Sequence, residues 1–411
     1  MLSMIFTTGS ASVIAVEQWN RTFDSGGQAL SVQQTEDNGY IFTGYTTRYN
    51  PGSGGTWLIK TDIDGNMLWK KTYGGWNPTD EAHSVQQTMD GGYIFTGITY
   101  SHGAGDIWLV KTDAAGNEIW NRNFDFGGVD TANSVKQTGE GGYIIVGSNH
   151  GSGSEGALLI KTDANGNQQW NKSFEGFANY VQQTSDDGYI IVGGTMREGI
   201  GLDVWLVKTN TSGNKQWEKA FKGNDVIARS VVQTKDGGYM IAGWISSFTS
   251  SYDAWLIKTD VNGNKEWEKT FGGTGRDFAQ SVQQTEDGGY IIAGLTGEEF
   301  KGGDTVEAKA WLIKTDIEGN KKWEKTFGGD GDDRFSSVQQ TSNGSYIMAG
   351  QTTSYSAGAN VSFFKGGNAW LVKVSEEPEV VKTKKIPAFE SLEALLLFII
   401  LLKIKRMRKV A

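Results

Sequence analysis

A phrase of the form Ser-Val-Gln-Gln-Thr-x-Asp-Gly-Gly-Tyr-Ile-Ile-Ala-Gly, whole from Ser281 to Gly294, returns in varied form along the chain. Its tyrosine falls at Tyr40, Tyr93, Tyr143, Tyr189, Tyr239, Tyr290 and Tyr346, in steps of 46 to 56 residues. A second phrase, Trp-Leu-Ile-Lys-Thr-Asp-x-x-Gly-Asn-x-x-Trp, alternates with the first and is complete from Trp255 to Trp267. It sets Trp57 and Trp69, Trp108 and Trp120, Leu158 and Trp170, Trp205 and Trp217, Trp255 and Trp267, and Trp311 and Trp323 twelve residues apart. Seven units with a period of about 50 residues restrict the chain to a solenoid, a propeller or an array, because each unit buries its apolar face only against copies of itself.

Strand count selects among these. Ser-Val-Gln-Gln-Thr (strand A), Tyr-Ile-Ile-Ala-Gly (B), Trp-Leu-Ile-Lys (C) and the stretch around the second Trp (D) are short, β-branched or aromatic, and bounded by Gly, Asp and Asn. The 57 glycines and four prolines fit a turn-dense antiparallel sheet, and no unit holds an apolar stretch at helical period. The expected fold is therefore all-β: a seven-bladed β-propeller with four antiparallel strands per blade. The chain opens with a lone D strand around Trp19 and its last repeat stops at a C strand around Trp370. Pairing these two strands closes the ring and leaves no unpaired radial edge. The recurring Trp residues are expected to pack blade on blade, each burying about 150–250 Å², or roughly 4–6 kcal/mol gross.

Gly65, Gly116, Gly166, Gly213, Gly263 and Gly319 each precede a D-strand Trp or its equivalent by four residues. This C-to-D hairpin resembles that of the pyrroloquinoline-quinone-type propeller repeats. The resemblance implies the propeller fold in all seven units, and it brings a quinone-type oxidoreductase into consideration as an alternative function. Those enzymes are usually eight-bladed and carry an adjacent cysteine pair; this chain has no Cys, so no quinone cofactor is assigned.

The net charge of -9 disfavours nucleic acid as a partner, since phosphate attraction needs a basic surface. Four segments follow from composition: 1–16 as a signal peptide or its remnant, 17–375 as the propeller, 376–385 as a charged linker and 386–411 as a hydrophobic and basic C-terminal anchor. The last segment, with Pro387-Ala388-Phe389, an apolar run near 394–402 and a finish of Lys403, Lys405, Arg406, Arg408 and Lys409, resembles the archaeal surface-sorting signals of Pro-Gly-Phe type. That resemblance implies export and a membrane-anchored, extracellular location. The run 392–402 would span roughly 16 Å as a helix, against a hydrocarbon core of about 30 Å.

Within a blade, the A-to-B and C-to-D turns share one face, where their lengths barely change. The B-to-C loops share the other face with the D-to-A loops and vary in length from blade to blade, carrying aromatic residues among Gly and Ser. Variable loops on a fixed scaffold are where binding is usually placed. Trp76, Tyr100, Trp244, Tyr252, Phe363 and Phe364 are the candidate ligand contacts on that face. Asp80, Asp130, Asp277 and Asp333 each stand four residues before a strand A serine. They are candidates for a Ca²⁺ or polar-ligand site at the channel mouth, against the commoner role of capping turns. The same turn reading is preferred for Asp62-x-Asp64-x-Asn66 and its siblings. No catalytic motif and no metal triad is recognised; His83 at the start of strand A reads as structural. The expected function is a surface-tethered binding module for protein or glycan. The alternatives are a propeller enzyme (a glycan hydrolase or lyase, or the quinone-type oxidoreductase) and a structural component of the cell envelope.

Overall fold

A computed structural model describes residues 13–23, 27–46, 55–74, 80–101, 103–151, 156–197, 201–223, 225–246, 251–301, 304–306, 308–355 and 367–379. Among these every regular element is a strand, and the strands form seven antiparallel sheets, the blades of a β-propeller spanning Ile14–Glu377. Blade one runs Gly27–Gln34, Tyr40–Thr46, Thr56–Thr61 and Met67–Tyr73 from A to D. Blades two to six repeat that order, and blade six adds a short strand, Asp304–Val306, paired to an extended B strand, Tyr290–Lys301. The expected leader, apart from the strand that begins at Val13, and the expected anchor at 386–411 lie outside the described residues.

Burial explains the composition of each strand. B and C lie in the middle of the blade and are covered on both faces by neighbouring blades, so Tyr93–Thr99 and Asp106–Thr112 are buried at every position. Strand D lies at the rim; Lys265–Phe271 is exposed or half-buried throughout, which fits its alternation of Lys and Glu with aromatic residues.

Ring closure follows the sequence expectation. Val13–Phe23 pairs with Asn368–Pro378 and completes blade seven. Each D-strand Trp packs against the B-strand Tyr of the following blade with ring centroids 5.8–6.2 Å apart, and the pair Trp19–Tyr40 carries this ladder across the junction of the two chain ends. The apolar clusters likewise span neighbouring blades: Phe23, Tyr40, Trp57, Ile347 and Leu371 belong to one of them. Each C-to-D turn glycine lies beneath the tryptophan of the preceding blade, as Gly65 does beneath Trp19. The Gly and Trp whose spacing suggested the family resemblance therefore serve different interfaces.

A clamp inside six of the seven blades fixes the A-to-B turn. The C-strand lysines Lys60, Lys111, Lys161, Lys208, Lys258 and Lys314 are buried, and each ammonium meets an acid of the turn: Asp37, Asp90, Glu140, Asp186, Asp236 or Asp287, at 2.7–2.9 Å. Burial opposes ionisation of Asp236. The Thr234 hydroxyl, the Lys258 ammonium and the Gly238 N–H more than offset it and hold the carboxyl down at about 2. Blade seven departs from this scheme. Asn343 replaces the acid, Ser345 replaces the following glycine, and the Lys373 ammonium sits 5.6 Å from the Tyr40 ring centroid. The glycine explains the departure, because a Cβ on Gly39 would stand 2.5 Å from Lys60 Nζ. Ser345 carries such a Cβ and excludes the lysine from the turn.

Candidate functional site

Strand A is the innermost strand of every blade, and the seven together line a central cavity of about 800 Å³. The Ser-Val-Gln-Gln phrase ties these strands to one another. Its second glutamine accepts, through Oε1, a backbone N–H from the A-to-B turn of the preceding blade. This bond forms at all seven junctions, at 2.8–3.0 Å, including Ser342 N–H to Gln34 across the chain ends. The first glutamine accepts from the N–H of the second glutamine in the following blade at five junctions, 2.6–2.8 Å. Blades three and five carry Lys136 and Val232 at that position, and neither side chain can accept. The serine hydroxyl accepts the following blade's valine N–H at 3.2–3.3 Å at five junctions. Polar residues that recur in an inner strand thus form a lattice that ties each blade to the next.

One position in that strand breaks the pattern. Every A strand has a β-bulge just before the recurring serine or its Tyr180 equivalent, and the residue left unpaired is Leu30, His83, Asn133, Asn179, Arg229, Gln280 or Ser336. All seven line the cavity. A bulge inserts one residue and re-aims its side chain; here it turns one residue per blade into the channel. The glycine that ends each B phrase makes this possible. A Cβ at Gly44, Gly97, Gly147, Gly193, Gly243, Gly294 or Gly350 would lie 1.8–2.0 Å from a carbonyl oxygen of the adjacent A strand. Scaffold residues around the bulge hardly change between blades, while the bulge residue is apolar, amide, hydroxyl, imidazole or guanidinium. Sequence reasoning overlooked this ring. Its available signal was the variable residue of an Ala-x-Ser triplet that is otherwise nearly constant.

Several ring members reach across to the next blade. Asn133 and Asn179 donate to the carbonyls of Ala178 and Ala228 at 2.8 and 2.7 Å. His83 Nδ1 lies 2.8 Å from the Ala132 carbonyl, so this nitrogen carries a proton, and Nε2 lies 3.2 Å from Glu81. His83, expected as a structural residue, therefore has both a cross-blade bond and a place in the channel wall. Arg229 is exposed to the channel, with its guanidinium 5.0 Å from the Trp244 ring centroid.

The candidates drawn from the loops fall elsewhere. Trp76, Phe363 and Phe364 lie outside the described residues. Trp244 is 8% exposed, meeting Phe278 edge to face at 4.8 Å with Arg229 over it, and Tyr252 packs on the same Phe278 at 5.7 Å. The structure thus brings Trp244 and Tyr252 together as a bracket between blades five and six. Tyr100, half-buried, donates its N–H to Asp80 at 2.9 Å.

Asp80, Asp130, Asp277 and Asp333 are fully buried and do not line the cavity. Their carboxylates hold the surrounding loops. Asp80 accepts from Tyr100 N–H, Asp130 from Phe126 N–H at 2.6 Å, and Asp277 from Gly273 N–H at 2.8 Å and from the Thr296 hydroxyl. Asp333 accepts from Gly329 N–H at 3.1 Å and from the Ser354 hydroxyl at 2.6 Å. These are the bonds of loop capping. In the C-to-D turns, Asp62 accepts from Asp64 N–H, Asn66 N–H and the Asn66 amide at 2.8–3.0 Å, as the turn reading expects. Among the described residues no three His, Asp or Glu side chains converge as a metal site.

No protein-family model and no curated protein matches the chain. Solved structures do. The chain is similar to a catalytically inactive virginiamycin B lyase from Staphylococcus aureus with quinupristin, at 8% identity over 88% of this chain and 99% of that one, TM-score 0.54. It is similar to the Pan2 WD40 domain of Neurospora crassa at 10% identity over 87% and 95%, TM-score 0.54. The same holds for Chaetomium thermophilum Sqt1 bound to the N-terminus of the ribosomal protein L10, at 10% identity over 86% and 98%, TM-score 0.50. At these identities the likeness establishes the propeller fold.

Proposed function

We propose that this propeller is a binding module that receives a segment of a partner protein at the mouth of its channel, on the face of the B-to-C loops. The observation that carries the reading is where the seven blades differ. The Gln lattice, the Lys clamps and the Trp–Tyr ladder recur around the ring, whereas the bulge residues and the B-to-C loops do not. The bulge lies in the first half of strand A, next to those loops. A repeated frame whose variation gathers at one end suits recognition. The Sqt1 complex supports the choice of a protein segment, since a similar ring there holds the terminus of another protein.

Peptide and glycan arrays probed with the purified chain test this. Retention on peptides that is lost in the Gln280→Ala variant, with the melting temperature preserved, is the expected result. Retention on neither array, retention on glycans alone, or peptide retention indifferent to that variant refutes it. We further propose, on the order of linker, apolar run and basic finish in 376–411, that the propeller acts outside the cell while tethered at its C-terminus. Protease treatment of intact cells should then degrade it, and full protection would overturn that assignment.

A further inference from the structure

The channel wall has a charge character opposite to that of the whole protein. The chain carries a net charge of -9, yet the ionisable residues lining the cavity are Lys136, Arg229 and Arg334 against one carboxylate, Glu81, with His83 beside it. Glu81 already lies 3.2 Å from His83 Nε2. The three cations have no ion-pair partner among the described residues. Lys136 lies 5.0 Å from the Tyr180 ring centroid, Arg229 lies 5.0 Å from that of Trp244, and Arg334 holds a buried Nε with no hydrogen-bond acceptor. Arg229 opens onto the channel, so its guanidinium is held by the Trp244 face with its donors left available to a ligand. Tyr45, also in the wall, accepts from Gln28 Nε2 at 2.6 Å and keeps its own hydroxyl proton to donate.

A protein avoids leaving charge in a confined place unless something compensates it. Guanidinium groups match carboxylates geometrically, since the planar fork gives two parallel hydrogen bonds. A cavity of about 800 Å³ lies within the range of ligand sites, roughly 300–1,000 Å³. Arg229 comes from the bulge of blade five, and Arg334 stands two residues before the bulge of blade seven. Both are positions that differ between blades, so their cations are additions to the scaffold.

We propose that the channel is a carboxylate-binding site in which Arg229 and Arg334 grip the anion, with Lys136 and the Tyr45 hydroxyl as further donors. Resting on the reading above, the carboxylate is supplied by Asp or Glu side chains of the partner segment; a free small dicarboxylic acid is the other source of the same chemistry.

Isothermal titration of the full chain with a tetra-aspartate peptide, its tetra-asparagine counterpart and succinate decides the matter. The expected result is binding of tetra-aspartate that weakens with added salt, at least tenfold weaker binding of tetra-asparagine, and at least a tenfold loss in each of Arg229→Gln and Arg334→Gln. Succinate binding as tightly as the peptide assigns the site to the free acid. No binding of either acidic probe, equal binding of tetra-asparagine, or acidic binding that survives the double Arg→Gln variant overturns the proposal. Melting curves of the variants guard against misfolding. A chain that retains array peptides without regard to their acidic content fails here alone, whereas one that retains no peptide fails the broader reading.

Discussion

Blade seven offers a sharp test of the clamp, because it lacks both the acid and the glycine. Asn343 already has the turn geometry of its counterparts, with Oδ1 accepting from the Thr341 hydroxyl at 2.7 Å and from Ser345 N–H at 3.2 Å. Asn343→Asp therefore restores the acid without rebuilding the turn. It leaves Lys373 excluded by the Ser345 Cβ. Ser345→Gly opens the space but offers no carboxylate. Only the double variant allows the lysine to swing from Tyr40 into the turn. A hydrogen bond to a charged group contributes about 1.5–3 kcal/mol. The acid side chain of the equivalent pair in blade one is 60% exposed, so screening trims the coupling to about 1–2 kcal/mol. With an unfolding entropy of about 2.1 cal/mol/K per residue over the propeller, that is a rise of roughly 1–3 °C in melting temperature. A double-mutant cycle by thermal and urea unfolding measures it. Coupling within about 0.5 kcal/mol of zero, the usual error of additivity, or the full gain from Asn343→Asp alone, would refute steric exclusion of the lysine.

Gly243→Ala brings a methyl group to within 1.9 Å of the Ile227 carbonyl; the cost belongs at or beyond the upper end of the 1–3 kcal/mol typical of overpacking, and urea unfolding should show it. Asp236→Asn should destabilise at pH 7. The folded carboxyl is depressed to about 2, so its contribution is present above the unfolded value near 4 and fades as pH falls through the folded one. Melting temperatures of the two proteins should therefore converge near pH 2. Asp253 has the opposite sign, because burial and then the charge of Asp277 raise it. Its contribution is full below the unfolded value and lost as pH rises through the folded one, so Asp253→Asn should raise the melting temperature at pH 7 and leave it unchanged at pH 3. A chain beginning at Gly27 lacks Trp19 and leaves the Asn368–Pro378 strand without its outer partner; scattering and melting curves should show association or a loss of the single cooperative transition.

Residue order alone reveals the number of blades, the order of strands within them and the junction of the chain ends. Those depend on periodicity and on which strand is missing at the end, as with Trp19 and Trp370, and both are countable. It also conveyed that Asp62 and its equivalents belong to turns, since the bonds of Asp62 are local. The roles of Gln34, Lys60 and Gly44 were not legible, because each acts on an atom that the sequence does not place beside it: the turn N–H of the preceding blade, a turn carboxylate in the same blade and an inner-strand carbonyl. Trp244 read as a loop aromatic, but tertiary packing covers it with Phe278 and Arg229. Above all, the bulge was decided in three dimensions. Whether one residue slips out of strand pairing depends on the space left by a glycine on the adjacent strand, and that slip turns Arg229 and its six counterparts into the channel.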